Sequence, residues 1–156
     1  MSVGRRVLLV DCDLRNPHVH QSLGLSVDAG LRELLEGQAA LEEAITEVQG
    51  SRLEVLPVRS LPPNPSELLA SSRMTELIEQ LAQSYDRVIL DVPAVLGIPD
   101  AKTLTDLCDG MILVVKADST AAEEVTAALE VVDQRRLLGM VLNGKIQGAH
   151  GYGYVD

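Results

Sequence analysis

The sequence contains no phenylalanine and no tryptophan, and only three tyrosines among 156 residues. That leaves almost nothing from which to build an aromatic stacking platform for single-stranded nucleic acid. Positive charge is also scarce: 13 Lys and Arg stand against 23 Asp and Glu, a net charge of −10. Neutralising a phosphate backbone or an anionic lipid surface requires surplus cations, so nucleic acid and direct lipid binding are not expected. A nucleotide, which needs only a local site, stays open. Long apolar runs are absent as well. Nothing approaches the roughly 18 residues of a membrane span, and direct membrane insertion is not expected. Arg5 and Arg6 are followed by only four apolar residues before Asp11, which is not a secretory pattern. The expected location is cytoplasmic, and the two cysteines, Cys12 and Cys108, are expected to be reduced, buried thiols.

What remains is an ordinary globular composition, 46% apolar, with a length that suits one domain. The core must be built from Leu, Val, Ile and Ala. Five short apolar runs stand out: Val7–Val10, Leu53–Val58, Val88–Leu90, Met111–Val115 and Leu137–Leu142. Such runs suit parallel strands buried on both faces. Helical spacing lies between them. Leu31, Leu34 and Leu35 begin one helix, and Leu41, Ala44 and Ile45 another. A longer helix is predicted after Asn64, with Asn64 as cap, Pro65 in the first turn, Glu67 closing a capping box, and Met74, Leu77, Ile78 and Leu81 on one face. Pro99 and Asp100 start a further helix through Leu104 and Leu107. Thr120 with Glu123 forms a second capping-box pattern ahead of Val125, Leu129 and Val132. Strands alternating with helices predict a three-layer α/β domain with a mainly parallel sheet over residues 1–143. Residues 144–156, rich in Gly, read as a flexible tail.

In parallel α/β sheets, ligands collect at the carboxyl ends of strands. Two runs end there in acids: Val7–Val10 leads into Asp11, Cys12 and Asp13, and Val88–Leu90 into Asp91. In extended backbone Asp11 and Asp13 project to one side, and Asp91 on a neighbouring strand could converge on them. Clustered carboxylates repel unless a cation or donors compensate, and Mg²⁺ is the natural hard cation for such a place. Each Asp alone is equally a turn former or helix cap. Arg15 could pair with Asp13 or reach a phosphate. His18 and His20 have no companions that would make a zinc site.

These segments resemble a known family. Val7–Pro17, VLLVDCDLRNP, resembles the Walker A′ motif of the bacterial tyrosine kinases (BY-kinases) of capsule and exopolysaccharide systems, part of the MinD/ParA-like branch of P-loop ATPases. Leu61–Ala70, LPPNPSELLA, is similar to their Pro-Pro-Asn-Pro segment, and Tyr85–Pro93, YDRVILDVP, to their Walker B strand. Asp109–Val115 and Leu138–Asn143 resemble the two strands that follow. The resemblance implies a cytoplasmic P-loop NTPase-like domain that uses ATP and Mg²⁺ to phosphorylate its own C-terminal tyrosines. It also implies a membrane polysaccharide co-polymerase as partner, which could hold the chain at the inner face of the membrane.

By the same resemblance Asp11, Asp13 and Asp91 are catalytic, with Asp11 and Asp91 near the metal. Asn143 approaches the adenine edge, Arg15 is a cofactor-binding candidate, and Tyr152 and Tyr154 stand where the modified tyrosines would be. Asn143 could equally be a strand-end turn residue, and the two tyrosines a spare Gly-Tyr tail.

The family's GxxxxGK[ST] loop, with its strand and helix, is not found in this sequence; the lysines are Lys102, Lys116 and Lys145. That loop cradles the phosphates with backbone N–H groups. These 156 residues alone are therefore expected to bind ATP·Mg²⁺ poorly and not to autophosphorylate. An interrupted sheet is also expected to self-associate or take a partner strand. Two other readings stand beside the kinase: a non-catalytic, pseudokinase-like module that binds a co-polymerase or a whole kinase, and a relative of the partitioning ATPases. The second Pro expected after Asp91-Val92-Pro93 is Ala94.

Overall fold

The computed structural model describes residues 6–144. Tyr152 and Tyr154, and all but the first residue of the expected tail, lie outside the described residues. The chain divides into two compact units, one ending at Leu107 and one beginning at Cys108.

The first unit is built on β1 (Val7–Asp11), which lies inside a four-stranded sheet of order β2-β3-β1-β4. Its neighbours, β3 (Leu53–Leu56) and β4 (Arg87–Asp91), both run parallel to it. The outer β2 (Thr46–Glu47) is a two-residue antiparallel strand that carries no apolar run and so gave no signal in the sequence. The order of the remaining elements is α1 (Val19–Ser22), α2 (Leu31–Leu35), α3 (Leu41–Ala44), α4 (Pro65–Leu69), α5 (Ser72–Ser84) and α6 (Pro99–Asp106). Leu8, Val10, Leu14, Leu31, Leu56, Leu69, Met74, Leu81 and Leu104 are fully buried or nearly so and form its core. Aliphatic packing thus does the work that Phe and Trp do elsewhere.

The predicted helix after Asn64 is two helices. Asn64 makes no cap hydrogen bond to the backbone; its Nδ2 donates to Glu67 Oε2 at 3.2 Å instead. The chain turns at Ala70 and restarts at Ser71, whose Oγ accepts the Met74 N–H at 3.3 Å. A true N-cap in mid-sequence outcompeted the continuous helical pattern. Helix α2 starts at Gly30, where the Leu31 N–H donates to the Pro57 carbonyl at 2.7 Å. A Cβ at Gly30 would sit 2.3 Å from that carbonyl oxygen, so only glycine permits this approach.

The second unit contains β5 (Met111–Lys116), α7 (Ala122–Val131) and β6 (Leu137–Asn143); β5 and β6 pair in parallel. The capping box is one residue later than predicted: Glu124 Oε2 accepts the Ala121 N–H at 2.8 Å, while Thr120 Oγ1 accepts the Lys116 N–H. The expectation that every run is buried on both faces is met only in part by β1, where Leu8 and Val10 are buried and Val7 and Leu9 half-buried, and not by β4, β5 or β6. β4 ends its sheet and leaves Ile89 52% exposed, and Ile112, Val114 and Leu138 are more exposed still. Cys12 is buried and Cys108 half-buried, and no disulfide joins them. Among the described residues no helix is long and apolar enough to cross a membrane.

Candidate functional site

The acids meet because of strand register. β1 and β4 pair from Val7↔Arg87 to Asp11↔Asp91, so the last residues of the two strands are direct neighbours. Beyond Asp11 the chain leaves the sheet, and the Cys12 N–H still donates to the Asp91 carbonyl at 2.8 Å. Asp13 is close enough to both other acids for its charge to act on them.

The three carboxylates are not equivalent. Asp11 is 0% exposed. Its Oδ1 accepts the Asp13 N–H at 3.1 Å, and its Oδ2 the Val19 N–H at 3.2 Å. One buried side chain therefore closes the turn after β1 and holds the first amide of α1. Burial raises its pKa above 3.8; the two amides pull the other way, and Asp91 and Asp13 add repulsion. Asp13 is half-buried, and its Oδ1 accepts the N–H groups of Arg15 (3.2 Å) and Asn16 (2.9 Å). Its other oxygen is not used by these caps. Asp91 is exposed, yet the protein around its carboxyl still raises its pKa, and the charge of Asp13 raises it further.

Arg15 is committed to side chains from elsewhere in the unit. Its Nε donates to Asp100 Oδ2 at 3.1 Å and its Nη2 to Ser66 Oγ at 2.7 Å. It does not pair with the Asp13 carboxylate through its guanidinium; only its backbone N–H does so. The sequence marked Asp100 merely as a helix start and Ser66 merely as part of LPPNPSELLA. Nothing local announces that either side chain meets Arg15. Asn143 ends β6 in the second unit, exposed, with its carbonyl accepting the Ala117 N–H at 2.7 Å. A groove of about 410 Å³ lined by Leu35, Glu36, Pro62, Pro63, Leu68 and Arg73 includes none of Asp11, Asp13 and Asp91.

Among the described residues, no group of three or more His, Cys, Asp or Glu side chains is arranged to hold a metal ion by itself. Mg²⁺ takes one or two carboxylates and fills its octahedron with water and phosphate oxygens. Asp91 and the remaining oxygen of Asp13 fit that demand. Asp11, buried with both oxygens on amides, does not fit as a direct ligand.

A family model described as an AAA domain matches residues 1–146. The chain is 38% identical over 154 residues to tyrosine-protein kinase YwqD of Bacillus subtilis (strain 168), covering 97% of this chain and 65% of that protein. It spans only about a fifth of the longer tyrosine-protein kinases it also resembles. Among solved structures, the VpsO kinase domain superposes with a TM-score of 0.85 at 34% identity, over 89% of this chain and 70% of that one. MinD of Pyrococcus horikoshii OT3, solved with Mg-ADP, superposes with a TM-score of 0.68 at 27% identity, over 89% and 58%. These neighbours have P-loop NTPase folds, and the α/β architecture here is of that type.

Proposed function

We propose, for a chain that belongs to the AAA domain family and within it to the bacterial tyrosine kinases of the MinD-like P-loop ATPase branch, that residues 6–107 supply the acidic half of an ATP- and Mg²⁺-dependent site for tyrosine phosphorylation. The observation that carries this reading is the in-register pairing of Asp11 with Asp91, with Asp13 acting electrostatically on both. In phosphoryl transfer the protein mainly positions groups and neutralises charge. Asp91 and the remaining oxygen of Asp13 are assigned to the magnesium ion through water, and Asp13 also to accepting the proton of the incoming tyrosine hydroxyl. Asp11 is assigned to shaping the turn that carries Asp13. The bound ion would supply charge neutralisation at the phosphates.

The adenine-facing role of Asn143, and Tyr152 and Tyr154 as acceptors, belong to the same proposal. So do a cytoplasmic location at the inner face of the membrane, a polysaccharide co-polymerase as partner, self-association, and a role in capsule or exopolysaccharide synthesis. LPPNPSELLA and the named kinase relatives favour this over a partitioning ATPase. One observation favours the non-catalytic module for these 156 residues by themselves: they contain no GxxxxGK[ST] to cradle the phosphates.

The test compares the 156-residue chain with the same chain preceded by a strand–GxxxxGK[ST]–helix segment from a relative. Calorimetry should show weak ATP·Mg²⁺ binding for the first and gained affinity for the second. Tyrosine phosphorylation should appear only in the second, and fall by roughly 10²-fold or more in Asp13→Asn and Asp91→Asn. Low-micromolar ATP binding by the short chain would overturn the expectation of weak binding. Full activity in both acid variants would overturn the roles given to Asp13 and Asp91, and no phosphorylation by the extended chain would leave the regulatory module as the better account.

A further inference from the structure

We propose that Arg15 is a bolt rather than a phosphate ligand: Asp100 and Ser66 are positioning residues that hold its side chain and thereby fix the turn presenting Asp13. This rests on the reading of Asp13 and Asp91 given above.

The turn between β1 and α1 is held largely by side-chain acceptors. Asp11 takes the amides of Asp13 and Val19, and Asp13 those of Arg15 and Asn16. The direction of the Asp13 carboxylate therefore depends on where the Arg15 and Asn16 backbone lies. The Arg15 side chain anchors that backbone at two points distant in sequence: Ser66, 51 residues on at the head of α4, and Asp100, 85 residues on in the first turn of α6.

The ion pair is built for position. The Asp100 side chain is only 2% exposed, whereas that of Arg15 is 44% exposed. A carboxylate this buried needs a partner, and a guanidinium commonly engages both of its oxygens. Here it engages one. Asp100 Oδ1 is buried and accepts no hydrogen bond. The second arm of the guanidinium is drawn to Ser66 instead. The arrangement gives up a bidentate pair and ties three segments together: the turn after β1, the start of the PSELL helix, and the helix after β4. A lysine could not reproduce this, because a single ammonium lacks the fixed fork.

The experiment uses the 156-residue chain with Asp100→Asn, Ser66→Ala, Arg15→Lys and Arg15→Gln. Amide hydrogen exchange by NMR is read at Arg15 and Asn16, with α5 as internal control, and Mn²⁺ alone is titrated by electron paramagnetic resonance. Both the Asp100 and Ser66 variants should speed exchange at Arg15 and Asn16 by roughly tenfold or more, with α5 unchanged. Mn²⁺ affinity should fall by about tenfold, as for other outer-shell partners of metal sites. Arg15→Lys should behave like Arg15→Gln.

Ser66→Ala removes a single hydrogen bond and so decides the matter if Asp100→Asn does not fold. Unchanged exchange in the folded variants would overturn the proposal. So would loss of ATP affinity, measured in the chain extended by the strand–GxxxxGK[ST]–helix segment, in Arg15→Gln without faster exchange, which would make Arg15 a ligand. If the unmutated chain binds no Mn²⁺, the metal reading of Asp13 and Asp91 fails, while the exchange arm still decides the bolt.

Discussion

Replacing Asp11 tests how a buried carboxylate can be structural inside a site made of acids. In Asp11→Ala, the amides of Asp13 and Val19 lose their acceptors in a place with no solvent exposure. Each stranded donor costs about 1–3 kcal/mol, partly offset by removing a charge that burial and two neighbouring acids disfavour. The expected loss is about 2–4 kcal/mol, measured by urea unfolding at pH 7. Asp11→Asn keeps one acceptor and turns an NH₂ group towards the other amide, so its loss should be about half as large.

The pH dependence separates this account from simple loss of packing. The folded pKa of Asp11 lies above 3.8, so the folded state binds more protons than the unfolded state in the window above 3.8. Stability from this group falls as pH rises through that window, then stays level beyond the folded pKa. The Asn variant has no such slope. Its deficit against the unmutated chain should therefore be larger near pH 4 than at pH 7. An Asp11→Ala chain within about 0.5 kcal/mol of the unmutated one would refute the two-amide account, since that is the scatter of neutral surface substitutions. A deficit that grows with pH would refute the sign.

Asp91→Asn removes another carboxyl whose pKa is raised, by its surroundings first and then by Asp13, so the variant should melt higher than the unmutated chain at pH 7 and lose that advantage near pH 4. Gly30→Ala should cost about 1–3 kcal/mol in urea unfolding, because its Cβ would meet the Pro57 carbonyl oxygen and force apart the Leu31–Pro57 hydrogen bond. In the second unit, hydrogen bonds from Arg135 hold the Asp133 carboxyl down at about 2. Its stabilising effect is present above 3.8 and lost as pH falls through 2, and carboxyl NMR of Arg135→Gln should return its midpoint toward 3.8.

Much of the site could be read before any coordinates. Apolar runs ending in Asp11-Cys12-Asp13 and in Asp91 mark strands with acids at their carboxyl ends, because burial selects apolar residues along a strand and frees polar ones at its tip. The ordered motifs from VLLVDCDLRNP to YDRVILDVP carried the family. Other features were out of reach. Two-residue β2 has no pattern to detect. Ser71 breaks a helical face that Met74, Leu77 and Leu81 continue in register, so spacing alone joined what a cap divides. The Asn64–Glu67 pair has the composition of a capping box but spends its hydrogen bond side chain to side chain.

By itself the sequence determined that the apolar runs become strands, where their acidic ends fall, and which family they belong to, since all three depend on residue type and short-range order. Only the tertiary structure decided that Asp11 stands beside Asp91, that Asp11 is consumed by two amides, and that Arg15 is held by Ser66 and Asp100. Strand register and contacts across 51 and 85 residues depend on how the chain closes on itself. That closure is set by the packing of the whole core, to which no single stretch of sequence holds the key.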